Sequence, residues 1–464
     1  MTEISEVYDP ASCSKNIDAF KSVLCEALRS ALAREGKVLT QKSIPEILRE
    51  LKFDALLAGG GGDLSELARV ILKHSNRLHH PRYFGHQVAV PMWPSCLADL
   101  LNGFTNNGMA VYEMGPAGTA VERGVVRWML SKCGWAHGDG VLTHGGSMAN
   151  LSCLLAARAR VFPQAWEAGM PRGGVLLASA AAHYSVGRAA AILGLGAAAV
   201  IKIPVDSGQR MIASELKESY RHTLSSGQKV LAVIANAGAT PTGAFDALRE
   251  VGAFCRNEKL WLHVDGAHGA SVLISEQHRG LLDGIELADS LSWDTHKMLG
   301  TSVLCGAALF RDASALSGTY AQHAPYLFSD VEKPGEDVSK NTLECTKSQL
   351  GLKLFFNLAV LGEKGLSAHV DRLLQRAGEI HAYISAREGF ECRCAPQCNI
   401  LCFRYGKDSA LQDRVRAQIV LEGNFYLTRT TLDGEAWLRL VIMNPFTEVA
   451  DIAALCDEIR KVAG

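Results

Sequence analysis

The chain has 464 residues, and its 47 lysine and arginine side chains nearly balance 48 aspartate and glutamate side chains, giving a formal net charge of −1. This balance argues against nucleic acid or an anionic membrane surface as a partner, because both select strongly basic proteins. The length is sufficient for a large hydrophobic core and more than one structural domain.

The hydrophobic pattern divides the chain into three predicted parts and indicates the α/β class. Residues 1–78 have the periodicity of amphipathic helices. Residues 79–374 alternate strands with helices, which is typical of a mostly parallel sheet covered on both faces. Within this part, a polar loop is predicted at 330–341 and a long amphipathic helix at 343–361. Residues 375–464 alternate again and predict a small α/β domain.

The start of the chain and its apolar stretches bear on location. Residues 1–6 are polar and acidic, unlike a signal peptide. Stretches such as 189–201 are short and interrupted by glycine, so they are not expected to span a bilayer. We therefore expect a cytoplasmic protein.

The thirteen cysteines are an odd number, which favours free thiols in a cytoplasmic protein. Four of them cluster near the C-terminus: Cys392, Cys394, Cys398 and Cys402. Their spacing fits no zinc signature well, so we expect no metal site.

A glycine-rich turn precedes a predicted helix in the central part. Gly145, Gly146 and Ser147 are followed by a stretch rich in leucine and alanine at 151–158. Glycines at a helix start expose backbone amides and the positive end of the helix dipole, which suits a phosphate group. Ordinary loop-to-helix junctions use similar turns, so the turn alone is weak evidence.

Two more predicted strands, 175–179 and 231–236, lead into polar residues. His183 follows the first strand and would stack on a flat cofactor, although a hydrogen-bonded loop histidine is the more ordinary interpretation of this residue taken alone. Thr240 follows the second strand and would donate to a phenolate or carboxylate, or would simply precede the proline of a turn.

An aspartate and a lysine complete the pattern. The segment 260–265 is typical of a buried parallel strand and ends in Asp265, at the sheet edge where α/β enzymes bind ligands. A helix N-cap is the alternative for this aspartate. Lys297 ends an apolar segment and directly follows His296, an unusual place for a residue that prefers solvent. A desolvated lysine forms Schiff bases, and an aspartate on the pyridine nitrogen makes pyridoxal phosphate an electron sink.

Together these segments resemble the group II pyridoxal-phosphate decarboxylases in order and spacing, from about His79 to the C-terminus. The resemblance implies a fold-type I enzyme with a mostly parallel seven-stranded sheet and pyridoxal 5'-phosphate as cofactor. It assigns the cofactor site to eight residues: Gly146, Ser147, His183, Thr240, Asp265, Ala267, His296 and Lys297. Gly146 and Ser147 would hold the phosphate, and His296 would flank it.

The same resemblance assigns the catalytic roles. Lys297 would carry the cofactor as a Schiff base, and Asp265 would pair with the pyridine nitrogen. His183 and Ala267 would lie on opposite faces of the ring, with Thr240 near it.

The resemblance also implies substrate contacts and a partner. His86 and Gln87 belong to a segment that lines the substrate pocket in the family, although His86 would also suit an ordinary loop position. Arg439 matches the strand arginine that binds a substrate carboxylate in glutamate decarboxylases, where a bidentate contact is favourable. We expect an acidic or small polar amino acid as substrate, and a homodimer with active sites at its interface and residues 1–78 packed on the partner.

Three features depart from the family. The loop 328–342 has no tyrosine, the residue that reprotonates the carbanion in many members, and Tyr326 lies just upstream. Lys347 stands where the family usually has arginine, so a planar donor is lost. Asp294 places a carboxylate near the expected phosphate, and we expect it to pair with a neighbouring side chain instead.

The sequence therefore predicts a decarboxylase that converts an L-amino acid to its amine and carbon dioxide. The missing loop tyrosine keeps two alternatives open, which are oxidative deamination coupled to decarboxylation, giving an aldehyde, and transamination. An inactive structural homologue is a further alternative, and the intact Lys297, Asp265 and His183 argue against it.

Overall fold

The computed structural model describes residues 10–320, 328 and 335–464, with side chains from residue 17 onward. The helices in the described chain are α1 Pro10–Leu32, α2 Ile44–Glu50, α3 Phe53–Gly59, α4 Leu64–His74, α5 Trp93–Thr105, α6 Pro116–Cys133, α7 Gly146–Val161, α8 Ala165–Ala168, α9 Ser185–Ile192, α10 Ala213–Ser225, α11 Leu248–Asn257, α12 Ala313–Ser317, α13 Gly351–Ser385, α14 Ser409–Glu422 and α15 Val449–Ala463. The strands are β1 Asp139–Thr143, β2 Gly174–Ser179, β3 Val200–Ile203, β4 Lys229–Asn236, β5 Leu262–Asp265, β6 Ser290–Asp294, β7 Gly306–Phe310, β8 Phe390–Cys392, β9 Ile400–Tyr405, β10 Thr428–Leu432 and β11 Glu435–Val441.

The chain forms two compact units. The first comprises Met1–His86, Glu379–Arg393 and Cys402–Gly464, and the second comprises Gln87–Gly378 and Cys394–Leu401. The predicted helical start is confirmed by α1 to α4. The boundaries at residues 78 and 374 stay predictions.

A seven-stranded sheet in the order β1-β7-β6-β5-β4-β2-β3 forms the centre of the second unit. Neighbouring strands from β6 to β3 run parallel, whereas β7 runs antiparallel to both β1 and β6. The predicted mostly parallel seven-stranded sheet is therefore confirmed. The parallel arrangement brings the ends of β4, β5 and β6 to one edge, where Asn236, Asp265 and Ser292 are register neighbours.

Helix α7 packs on this sheet, and several of its buried side chains are small. Ala149, Cys153 and Ala157 are fully buried in the same core cluster as Leu176 of β2 and Leu231 of β4. Small side chains let a helix approach a sheet closely, and close packing fixes the position of the helix start. The glycine-rich turn at the start of α7 is thereby held beside the end of β1.

A second sheet has four strands in the order β10-β11-β9-β8 within the described chain. In its antiparallel hairpin of β10 and β11, Arg439 is the register partner of Thr428. This sheet, with α14 and α15, is the predicted small C-terminal α/β part.

The predicted helix at 343–361 was wrong at its start, since α13 begins at Gly351. Polar groups of the preceding segment bond to other elements: the carbonyl of Lys347 accepts from Met109 N at 3.0 Å, and Gln349 N donates to the Asn102 side chain at 3.2 Å. The predicted end agrees with Gly362, whose φ of 65° and ψ of 173° interrupt α13.

The predicted loop at 330–341 lies partly outside the described residues, as does Tyr326. Its described end contains the short 3-10 helix Val338–Asn341.

Two observations bear on membranes and metals. Within the described residues, no helix combines the length and apolar character needed to cross a membrane. The same described part of the chain has no group of three potential metal-ligating side chains. Cys398, one of the four clustered cysteines, is buried and forms no disulfide.

Candidate active site

The second unit contains a cavity of about 260 Å³ at the edge where the parallel strands end. All eight residues that the sequence assigned to the cofactor line it: Gly146, Ser147, His183, Thr240, Asp265, Ala267, His296 and Lys297. The fold thus brings together residues that are far apart in the sequence, from Gly146 to Lys297. Their individual roles stay predictions.

Asp265 is buried at the end of β5 and held by three donors. Asn150 Nδ2 donates to its Oδ2 at 2.9 Å, while Ser292 Oγ and Ala267 N each donate to Oδ1 at 3.2 Å. Burial by itself would raise the pKa of Asp265, but His263, then Lys297 and His183, outweigh burial and lower the pKa below its usual value. Asp265 is therefore an ionised carboxylate suited to a protonated ring nitrogen.

A chain of hydrogen bonds runs behind Asp265 through buried side chains. His263 Nε2 lies 3.0 Å from Asn150 Oδ1, and His263 Nδ1 lies 3.0 Å from Ser290 Oγ. Trp261 Nε1 donates to the same Ser290 Oγ at 2.9 Å. Because Asn150 Nδ2 donates to Asp265, its Oδ1 accepts, so His263 carries its proton on Nε2. Burial lowers the pKa of His263 to about 4, which keeps the ring neutral near neutral pH.

The same asparagine also reaches His183. Asn150 Nδ2 lies 2.9 Å from Ser185 Oγ, and Ser185 Oγ lies 2.8 Å from His183 Nδ1. Ser185 N also donates to His183 Nδ1, at 3.3 Å, so that nitrogen is an acceptor and the ring proton of neutral His183 is on Nε2. Burial is the main cause that lowers the pKa of His183.

Lys297 is paired with the aspartate at the end of β6. Its Nζ lies 3.1 Å from Asp294 Oδ2, and His296 Nε2 lies 3.9 Å from the same oxygen. The other ring nitrogen of His296 lies 2.8 Å from the carbonyl oxygen of Cys305. The expected pairing of Asp294 with a neighbouring side chain is thus present.

The start of α7 forms the opposite end of the cavity. Gly145 adopts a φ of 93°, a left-handed conformation that favours glycine, and among the described residues no side chain caps the helix start. A Cβ atom on Gly146 would lie only 2.8 Å from Ala267 Cβ, so glycine is needed there. Beside this turn, His144 Nδ1 lies 2.5 Å from Glu344 Oε1. Backbone amides are therefore available for an anion at this end.

Residues 63–406 match the family model of the pyridoxal-dependent decarboxylase conserved domain. The chain belongs to the pyridoxal-dependent decarboxylase family. Human acidic amino acid decarboxylase GADL1 is 30% identical over 479 residues, covering 97% of this chain and 92% of that protein. Human cysteine sulfinic acid decarboxylase is 30% identical over 483 residues, covering 98% and 97%. A crystal structure of mouse CSAD superposes with a TM-score of 0.92 at 28% identity, covering 98% of this chain and 99% of that one.

This pyridoxal-dependent decarboxylase has pyridoxal 5'-phosphate as its cofactor, and the cavity fits that group at each end. The lowered pKa of Asp265 suits the pyridine nitrogen, and Lys297 is the amine available to the aldehyde. The uncapped turn at Gly145 and Gly146 suits the phosphate. His183 and Ala267 line the space between these ends.

The predicted substrate residues are distributed differently. His86 and Arg439 belong to the first unit, and Gln87 belongs to the second. Gln87 is not among the described residues that line the cavity, and its buried Nε2 has no hydrogen-bond partner within the described chain. Arg439 is buried, and its Nη1 donates to Thr428 Oγ1 at 3.3 Å.

Sequence reasoning missed the residues that support Asp265 and His183. Asn150 lies one helical turn after Ser147, and its position on the cavity side of α7 could have been inferred from that spacing. His263 lies two positions before Asp265 in β5, so both side chains point to the same face of the sheet. His144 and Leu304, which also line the cavity, gave no comparable signal.

The departure at Lys347 produces a buried ion pair rather than an exposed charge. Lys347 Nζ lies 2.6 Å from Glu122 Oε1 and 2.5 Å from the carbonyl oxygen of Leu142. Glu122 Oε1 also accepts from Leu142 N at 3.0 Å, so the pair anchors β1 immediately before the glycine-rich turn. Lys347 here helps to fix the end of β1 beside that turn.

Proposed function

We propose that this decarboxylase acts on an acidic L-amino acid and releases the amine and carbon dioxide. The observation that carries the choice of substrate is the buried guanidinium of Arg439. The names of the two human relatives, an acidic amino acid decarboxylase and a cysteine sulfinic acid decarboxylase, agree with an anionic side chain.

The electrostatics around Arg439 favour an anion. Burial lowers the pKa of Arg439 to about 10, so its charge lacks full solvation. Burial, followed by the charges of Arg439 and Arg416, lowers the pKa of His86. A substrate carboxylate or sulfinate would compensate the desolvated guanidinium of Arg439, because an anion can bind it through two hydrogen bonds. The same negative charge would offset the positive charges that lower the pKa of His86. We propose Arg439 and His86 as substrate-binding residues, with Gln87 as a further donor.

The residues of the cavity would divide the reaction among them. Pyridoxal phosphate supplies an electron sink for the electron pair left when the carboxylate departs. Asp265, kept ionised and fixed by Asn150, would hold a proton on the ring nitrogen. Lys297 Nζ would bind the cofactor aldehyde and later displace the product amine. His183 would cover one face of the ring, with its proton on Nε2.

A carbon dioxide release assay tests the substrate. The purified holoenzyme is offered aspartate, glutamate and cysteine sulfinate, with diaminobutyrate, ornithine and the aromatic amino acids for comparison. We expect activity on the acidic group and a KM raised by about tenfold or more in Arg439→Met, with a smaller rise in Arg439→Lys. Activity confined to aromatic or diamino substrates would refute the acidic preference.

The same assay separates decarboxylation from its alternatives. Amine formed in equal amount to carbon dioxide supports the proposal, whereas hydrogen peroxide and ammonia formed with carbon dioxide would indicate the aldehyde-forming reaction. A keto acid without carbon dioxide would indicate transamination. An inactive homologue would show none of these products.

We also propose a homodimer, supported by an exposed apolar surface on the second unit. Helix α5 exposes four large side chains on one stripe: Trp93, Leu97, Leu101 and Phe104. The neighbouring segment, tied to α5 by the bond from Ser302 N to Ser95 Oγ at 3.0 Å, exposes Val303 and Leu304. Leu304 also lines the cavity, so a partner on this surface would complete its rim.

The first 78 residues support the same proposal as a dimerisation segment. Helix α1 exposes Ile17, Phe20, Leu24 and Leu28 along one stripe. Light scattering is expected to give a dimer, and Leu101→Glu with Phe104→Glu is expected to give a monomer with weakened activity. A monomeric, fully active wild type would contradict the dimer. The cytoplasmic location stays a prediction, testable by cell fractionation.

A further inference from the structure

Asp294 is a buried carboxylate with only one of its oxygens paired. Its side chain is 2% exposed, and Oδ2 lies 3.1 Å from Lys297 Nζ. Within the described chain, Oδ1 has no hydrogen-bond partner. An unpaired carboxylate oxygen in a protein interior is costly, because desolvation is not compensated. Lys297 therefore offsets only part of the cost of burying Asp294.

The carboxylate lies against the turn that suits the cofactor phosphate. A Cβ atom on Gly146, the first residue of α7, would lie 2.8 Å from Asp294 Oδ2. Gly306, on the other side, approaches Oδ1 so closely that a Cβ atom there would clash with it. Glycines on both sides leave room for Asp294 and place its negative charge beside the amides of the helix start.

Few cations offset this charge. Among the described residues lining the cavity, Lys297 is the only lysine or arginine, whereas both Asp265 and Asp294 line it. Once Lys297 carried the cofactor, its nitrogen would no longer be the free ammonium that pairs with Asp294. A phosphate held by the amides at the start of α7 would bring a second negative group into the partly desolvated surroundings of Asp294, where like charges repel strongly.

We propose that Asp294 sets the cofactor affinity of this enzyme by opposing the phosphate group. Asp294 holds the Lys297 ammonium, and it would repel a phosphate bound at the start of α7. The inference depends on the phosphate lying at the start of α7, but not on which amino acid is decarboxylated. It is tested by binding, so it stands or fails independently of the proposed substrate.

The test compares Asp294→Asn with wild type as cofactor-free proteins. Each is titrated with pyridoxal phosphate and with pyridoxal, which has the aldehyde but no phosphate, and Kd is read from the absorbance of the bound ligand. Asp294→Asn also releases Lys297 from its ion pair, which changes the affinity for both aldehydes alike. This contribution therefore cancels in the ratio of the two Kd values. The phosphate effect remains in that ratio.

We expect Asp294→Asn to increase the preference for pyridoxal phosphate over pyridoxal by about tenfold or more. The matched control is Asp289→Asn, which alters an aspartate just before the opposite end of β6 that pairs with Arg311 at 2.6 Å. This control is expected to leave the ratio unchanged. An unchanged or smaller ratio in Asp294→Asn would overturn the proposal, since Asp294 would then be neutral or favourable toward the phosphate.

A second measurement uses inorganic phosphate as the probe. Phosphate is expected to raise the Tm of cofactor-free Asp294→Asn more than that of cofactor-free wild type. Equal shifts would overturn the proposal. If Asp294→Asn does not fold, Asp294→Ser serves in both measurements with the same expectations.

Discussion

The side-chain nitrogen of Asn150 lies 2.9 Å from the carboxylate of Asp265 and also 2.9 Å from Ser185 Oγ. One amide thus fixes the carboxylate of Asp265 and, through Ser185, the ring of His183. The two groups that would contact the cofactor from different directions share a single support.

We expect Asn150→Ala to lower both activity and stability. His263 Nε2 and Asp265 Oδ2 would lose the hydrogen-bond partner that Asn150 provides, which costs about 1–3 kcal/mol of unfolding free energy. We expect kcat to fall by about tenfold, because Asp265 and His183 lose their common orientation. Urea denaturation and steady-state kinetics measure the two effects. Asn150→Asp, which keeps the size but adds a charge beside Asp265, is expected to be worse, and wild-type behaviour of both variants would contradict the shared support.

His263 predicts a specific dependence of stability on pH. Burial lowers its pKa in the folded protein to about 4, from the ordinary value of 6.5. Between these values the unfolded chain binds a proton that the folded chain does not, so stability falls as pH falls from 6.5 toward 4, by at most about 1.4 kcal/mol per pH unit. Above pH 6.5 this residue adds no pH dependence.

The matched variant is His263→Gln, whose amide nitrogen can still donate to Asn150 but does not titrate. Its unfolding free energy, measured in urea across the same pH range, is expected to fall less steeply than that of wild type. Parallel pH profiles would show that His263 is not the residue responsible.

The buried ion pair of Lys347 and Glu122 predicts that removing one charge destabilises the protein more than removing both. Lys347→Met leaves Glu122 as an uncompensated buried charge, which is expected to cost about 3–5 kcal/mol of unfolding free energy. The double variant Lys347→Met with Glu122→Gln removes both charges and keeps an acceptor for Leu142 N, so it is expected to recover much of that loss. Urea denaturation distinguishes the cases, and a double variant as unstable as the sum of the single variants would contradict the pairing.

The strand ends and the residues that line the cavity could be predicted because their signals are local. Asp265 and Lys297 each follow a short apolar run, and a parallel sheet brings such ends to one edge. The glycine-rich turn before α7 was recognisable because glycines at a helix start leave backbone amides open to an anion.

The start of α13 at Gly351 could not be predicted from local sequence signals. The segment at 343–350 has the composition of a helix, but its bonds are long-range: Lys347 reaches Glu122, and Glu344 reaches His144. These tertiary contacts override local propensity. Asn150 was missed for a related reason, since only the folded structure shows that one side chain joins Asp265, His263 and Ser185.

The central claim is that Lys297 carries the cofactor, and borohydride reduction tests it most directly. Reduction of the holoenzyme, followed by proteolysis and mass spectrometry, fixes the cofactor to whichever lysine holds it. We predict a phosphopyridoxyl group on the peptide containing Lys297, and a Lys297→Ala protein without the visible absorbance band or the modification. A cofactor recovered on another lysine, or a Lys297→Ala protein that retains both band and activity, would contradict the account.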